Sequence, residues 1–244
     1  MLNVTAEPTT ATIRRYRETD LAAVYDICVR TADAGQDARG KYRSDDLMGD
    51  LFAGPYVFLE PEVAFVLDAG NQDDGDQDAG DQDAGGQDDG DQDDGGQDAG
   101  DRDDGYRAVG YIVGTPDTAA FARTYRERWI PRLADRYRVP PQPPVSPDEQ
   151  MLALHYRPER LLWSGLAEYP AHLHIDLLPA FQGTGYGRAL MATFCDAVAK
   201  AGAAGVHVTV VADNVPAIGF YRRLGFEPLA VDDPGPVVYL GRKL

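Results

Sequence analysis

Apolar and polar positions along this chain alternate between strand-like and helix-like spacing. Thr12 to Tyr16 predicts a first strand, and Thr19-Asp20 can cap a helix on which Leu21, Val24, Ile27 and Cys28 fall at helical intervals. Val63-Ala64-Phe65-Val66-Leu67 and Ala108-Val109-Gly110-Tyr111-Ile112-Val113 predict two further strands. From Ala119 to Tyr137, the residues Phe121, Tyr125, Trp129 and Leu133 recur every four positions, with Arg123, Arg126, Arg128, Arg132 and Arg136 largely elsewhere. This pattern predicts one amphipathic helix, ended by the proline-rich run at 139–144 and followed by a partly irregular connection to Gly165. Ala171 to Leu178 predicts a central strand that Pro179 stops; Gly187 to Val198 predicts a helix with one apolar side, and Val206 to Val211 a strand rich in branched residues.

Between two of these strands the pattern fails. From Gly70 to Gly105 the sequence repeats every five residues as Gly-x-Gln-Asp-x, a period that fits neither helix nor strand. Each unit lacks a large apolar side chain and carries carboxylates that repel, so a disordered insertion at the tip of a hairpin is expected over 70–105. A flexible loop there is tolerated because closure entropy grows only logarithmically with length. The spacing does not match a calcium loop.

The charge belongs to that insertion. Fifteen aspartates and one arginine between 71 and 105 account for −14 of the net −17, leaving the other residues near neutrality. The balance excludes nucleic-acid phosphate as an expected partner. With 43% hydrophobic residues the 244-residue chain can bury a core, and one domain over 1–244 is expected, decorated by the acidic insertion and by the segment 119–165. Cys28 and Cys195 lie in predicted helices without a metal or disulfide spacing, and no run approaches the length of a membrane span. A cytoplasmic chain that meets no membrane is the expectation.

Chemistry concentrates after the central strand, where Gln182-Gly183-Thr184-Gly185-Tyr186-Gly187 opens a helix. Strand, glycine turn and helix in that order suit a phosphate, because glycines allow close backbone approach and the first helical N–H groups have no internal partner. A lone glycine turn is equally an ordinary tight turn. The next strand, however, runs into Asn214-Val215-Pro216-Ala217-Ile218-Gly219-Phe220-Tyr221-Arg222-Arg223-Leu224-Gly225-Phe226. The pattern Gln-x-x-Gly-x-Gly after a strand, then a strand, then Asn-x-x-Ala-x-x-Phe-Tyr-x-x-x-Gly-Phe resembles the GNAT acetyltransferase family. His172 to Pro179 running into Phe181–Gly187, with Gly54-Pro55-Tyr56 upstream, resembles more narrowly the acetyltransferase-like C-terminal domain of eukaryotic O-GlcNAc hydrolases and its stand-alone bacterial relatives.

The resemblance implies an α/β (α+β) fold: a mixed, mainly antiparallel sheet, splayed between the strands at 172–178 and 206–211, with helices on both faces. It implies acetyl-CoA as acyl donor and an amine as acceptor. The backbone around Gln182, Gly183, Thr184, Gly185, Tyr186, Gly187 and Arg188 would cradle the pyrophosphate; Leu177 and Leu178 would pair with the pantetheine arm, and Ala217 and Phe220 would flank it. Asn214 would contact the same arm, although it could equally cap the following helix. Tyr221 would protonate the leaving thiolate, or else pack in the core with Phe226.

The general base stays open between Asp176 and His174. On an extended strand His172, His174 and Asp176 share one face, with His172 the weakest candidate, and no metal is expected. The opposing reading is a domain that binds acetyl-CoA or a protein partner without catalysis.

Overall fold

The computed structural model describes residues 11–70 and 107–244. The repeat predicted as a disordered insertion therefore lies, from residue 71 onward, outside the described residues.

Four strands, β1 (Thr12–Arg15), β2 (Phe65–Asp68), β3 (Ala108–Thr115) and β4 (Ala171–Leu177), pair antiparallel in sequence order. β5 (Gly205–Val211) joins β4 in parallel, and β7 (Val237–Lys243) and the short β6 (Glu227–Pro228) continue antiparallel beyond it. The seven-stranded sheet thus runs β1-β2-β3-β4-β5-β7-β6. The second strand begins later than its apolar run suggests, because Pro61–Val63 forms a 3-10 turn.

Helices α1 (Leu21–Thr31), α2 (Asp46–Phe52) and α3 (Gly54–Leu59) follow β1, and α4 (Thr118–Thr124), α5 (Ile130–Arg132) and α6 (Pro147–His155) follow β3. α7 (Tyr186–Lys200) connects β4 to β5, and α8 (Val215–Arg223) follows β5. α7 buries Leu190, Met191, Phe194, Cys195 and Val198 against β2, β3 and β4. Each of the large side chains in that stripe contributes on the order of 2 kcal/mol. α1 packs on the opposite face, where Asp176 and Tyr111 point. The sheet is therefore sandwiched, as the family resemblance implied.

The single helix expected from 119 to 137 is three pieces. α4 passes into a π-helical turn, Tyr125–Trp129, and α5 ends at Arg132. A four-residue repeat outruns the 3.6-residue α-helical turn. The wide turn keeps Phe121, Tyr125, Trp129 and Leu133 all on the buried side, and Pro131 offers no N–H to a regular ladder. Three arginines of this segment find partners within the chain: Arg126 pairs with Glu159, while Arg128 and Arg132 stack over Phe58.

One buried carboxylate ties the segment down. Asp50 on α2, 2% exposed, accepts from Tyr25 Oη (2.8 Å), Tyr137 Oη (2.7 Å) and Arg136 Nη1 (2.6 Å), and its carbonyl accepts from Trp129 Nε1 (2.9 Å). The connection after it contains α6, whose Ser146 and Glu149 form a reciprocal capping box with Pro147 in the first turn.

Candidate functional site

β4 and β5 pair only at Ala171↔Val206 and His172↔His207; β4 then stays with β3 and β5 with β7. The ladder between them stops after two steps, and the sheet opens. Leu178 N–H donates to Val109 O (3.0 Å), so by the alternation of an antiparallel ladder the main chain of His174 and Asp176 faces β3. The main chain of Ile175 and Leu177 therefore faces the opening. Gln182 Nε2 closes back on the Leu177 carbonyl at 2.8 Å, fastening the turn to the end of the strand.

The turn at that end is built from glycines for two different reasons. Gly183 and Gly185 have φ of +72° and +97°, a region that costs an L-residue roughly 1–2 kcal/mol, and nothing lies within 4 Å of where a Cβ would stand. Gly187 instead meets the Phe220 ring of α8, 3.2 Å from the position of a Cβ, so its lack of a side chain lets α7 and α8 approach. Gly185 is the N-cap of α7 and supplies no side-chain cap, leaving the first-turn amides of Gly187 and Arg188 without a partner inside the helix. Thr184 is turned back onto Phe181 O (2.8 Å), the Arg188 side chain is exposed, and the Tyr186 hydroxyl accepts from Ala11 N–H (3.0 Å). An open, glycine-lined helix N-terminus of this kind fits a pyrophosphate.

From α8, Asn214 Oδ1 accepts from the Ala217 N–H at 3.2 Å, so the capping role weighed for it is the one these contacts display, and the Ala217 amide is engaged by it. Tyr221 is buried, its ring 5.3 Å from Phe220 and 5.4 Å from Phe226. Burial, reinforced by the charge of Asp176, pushes its phenol well above the ordinary range and keeps it protonated. Packing and a proton at the oxygen coexist in one side chain.

The polar face of β4 separates into three environments. His172 is fully engaged: Nε2 lies 2.8 Å from Tyr56 Oη and Nδ1 2.7 Å from Thr118 Oγ1. The Thr118 hydroxyl gives its proton to Pro170 O (2.6 Å), so Nδ1 must donate and Nε2 accept, the neutral tautomer of a satisfied core histidine. His174 sits edge-on to Phe52 and Tyr56, and burial pushes its pKa down to about 4. Asp176 receives Tyr111 Oη at 2.6 Å, yet burial holds its carboxyl above the ordinary aspartate value. A carboxyl raised above its ordinary value and a phenol kept neutral, the charge of the first acting on the second, are groups of the kind that can carry protons.

The glycine turn, the Leu177 main chain and Phe220 thus border one opening; Asp176 lies near enough to Tyr221 for its charge to act on the phenol, while His174 lies toward α2 and α3. Sequence reasoning missed Tyr111, Thr31 and Cys28 around Asp176; the register that opposes Tyr111 to Asp176 has no signature along the chain. A groove of about 290 Å³ bordered by Arg30, Arg39 and Pro179 adjoins Gln182. The larger one, about 480 Å³, lies between Arg15, Phe65 and Lys200 and contains none of these residues. Among the described residues no three His, Cys, Asp or Glu converge as metal ligands, and no helix is long and apolar enough to cross a membrane.

Comparison with known proteins agrees with this geometry. Residues 151–226 match the model of the acetyltransferase (GNAT) family. Protein O-GlcNAcase of Rattus norvegicus and that of Mus musculus are each 27% identical over 237 residues, which is 96% of this chain and 22% of theirs. The chain thus spans about a fifth of the length of those curated relatives. The crystal structure of SsHAT is 47% identical with a TM-score of 0.78, covering 96% of this chain and 98% of that one. A Pyrococcus horikoshii structure shares the fold alone, at 13% identity and a TM-score of 0.53 over 96% of this chain and 99% of that one. The chain belongs to the GNAT acetyltransferase family, and within it resembles the C-terminal part of O-GlcNAcase.

Proposed function

We propose that the protein is an N-acetyltransferase that binds acetyl-CoA in the opening between β4 and β5 and passes its acetyl group directly to a primary amine. One observation carries the reading: the β4–β5 ladder stops beside an α7 N-terminus with no side-chain cap, whose turn is made of positive-φ glycines. The pyrophosphate would take the amides from Gly183 to Arg188. The pantetheine arm would run along the Leu177 and Leu178 end of β4 as an added strand, with Asn214, Ala217 and Phe220 along its other side.

The chemistry then needs two proton transfers. Asp176 takes the proton of the attacking amine, whose nitrogen forms the new C–N bond as the thioester C–S bond breaks. Tyr221 gives its proton to the departing sulfur. Two features support this division: burial, with the Asp176 charge adding to it, keeps the Tyr221 phenol protonated, and His174 packs edge-on against Phe52 and Tyr56. His174, with Phe52 and Tyr56, would instead wall the acceptor side.

Calorimetry with acetyl-CoA tests the donor, using wild type and Gly185→Glu, whose side chain would fill the phosphate cradle. Free-thiol release across a peptide lysine, a peptide N-terminus, an aminoglycoside and an amino sugar tests the acceptor. Tight binding abolished in the variant, with turnover on one of these amines, supports the reading. Absence of binding by wild type would leave the glycine turn a purely structural device.

A further inference from the structure

We infer that Tyr111 is a positioning residue for the acetyl transfer, acting through Asp176: its hydroxyl holds that half-buried carboxylate in its ionised form and fixed orientation. The inference rests on the assignment of Asp176 as base made above.

Tyr111 and Asp176 are direct cross-strand partners in the β3–β4 ladder, and Tyr111 Oη lies 2.6 Å from Asp176 Oδ2. Tyr111 has no exposed surface, so water does not compete for its proton. Two hydroxyls approach this carboxyl, but they are not equivalent. Thr31 on α1 has carbonyl acceptors of its own, Ile27 O at 2.8 Å and Cys28 O at 3.3 Å, and its single proton is directed there. Tyr111 has no such rival. The Cys28 thiol, also from α1, lies near the phenol, and burial pushes its pKa up to about 12, so it remains S–H and is a far weaker acceptor than the Asp176 carboxylate 2.6 Å away. The proton of Tyr111 is left pointing at Asp176.

The groups facing Asp176 are therefore Tyr111 from β3, Thr31 and Cys28 from α1, and Tyr221 from α8, with His174 two residues away on β4 itself. All are neutral at pH 7, so none of these groups sets a positive charge against the cost of taking this one out of water. A charge-assisted hydrogen bond from Tyr111 is the main compensation among them.

Removing the hydroxyl should raise the Asp176 carboxyl by about one pH unit, the size expected for losing one hydrogen bond to a charged group. The experiment follows the Asp176 carboxyl carbon by NMR titration in wild type and Tyr111→Phe, with acetyl-CoA calorimetry on each as a check of folding. The acid limb of turnover is read with the most active amine of the panel. An upward displacement of the midpoint, shared by the acid limb, is the expected result. A midpoint that stays put in a variant binding acetyl-CoA like wild type overturns the inference. Should Tyr111→Phe not fold, 3-fluorotyrosine at position 111, a stronger donor of the same shape, must displace the midpoint downward, and no displacement is again fatal. Asp176→Asn separates the two readings: wild-type turnover in that variant removes the base, and with it any part for Tyr111 in the reaction.

Discussion

The Phe220 ring stands over Gly187, its Cε2 3.2 Å and its Cζ 3.3 Å from where a Cβ on residue 187 would lie. That contact sets the distance between the first turn of α7 and α8, the two helices that would hold opposite sides of the donor. Gly187→Ala should push the ring aside by a few tenths of an ångström and weaken acetyl-CoA binding about tenfold, roughly 1.4 kcal/mol. Calorimetry reads this directly, and unchanged affinity would mean that Phe220 does not shape the donor site.

Gly185 makes a different demand. Its φ of +97° disfavours any side chain whatever the space around it, so Gly185→Ala should cost about 1–2 kcal/mol of folding stability in denaturant titration. A fully stable Gly185→Ala protein would show that the turn relaxes freely.

Tyr221→Phe keeps the ring contacts with Phe220 and Phe226 and removes only the proton. Turnover should fall about a hundredfold while acetyl-CoA affinity holds. Because the phenol is pushed well above its ordinary range, wild-type turnover should show no falling limb from Tyr221 below pH 9. A limb there that Tyr221→Phe abolishes would contradict the burial argument.

Histidine burial governs acid stability. Burial lowers His172, and lowers His155, His174 and His207 to about 4, so the folded state resists protonation that the unfolded chain accepts near 6.5. Their stabilisation is complete above pH 6.5 and is lost as pH falls toward 4. The raised Asp176 and Glu60 act in the opposite sense, but they are two groups against four. Thermal melts should show Tm falling steadily between pH 6.5 and 4.5; a flat profile over that window would refute the assignment.

Asp50 is the mooring of the 119–165 segment. Asp50→Ala would leave Tyr25, Tyr137 and Arg136 without their shared acceptor and should destabilise by about 3 kcal/mol. Limited proteolysis should then cut first between 133 and 145. Wild-type resistance in the variant would mean that the aromatic packing of Trp129 and Phe121 suffices.

Much of this was legible along the chain. The strand–turn–helix run from Ala171 to Val198 and the block from Asn214 to Phe226 carry local signatures, because glycine conformation and helix spacing are local properties. Ser146-Pro147-Asp148-Glu149 is an equally local capping signal, and the sequence reading passed over it in favour of an irregular connection. The π-helical turn was hidden because a four-residue repeat reads as α-helix unless the phase drift and Pro131 are weighed together. The separation of His172, His174 and Asp176 could not be read at all. Alternation puts the three on one face, but whether each meets Tyr56 and Thr118, Phe52, or Tyr111 depends on which strands and helices come to lie opposite.

The sheet's two halves are joined across β4 and β5 by only two residue pairs. A molecule lying in that gap would supply a strand that the polypeptide does not encode, and the chain would behave as a scaffold completed by its own substrate. Its resistance to heat and proteases would then rise with donor concentration, by RT ln(1 + [L]/Kd), making the lifetime of the protein in a cell a readout of how much acetyl donor that cell holds.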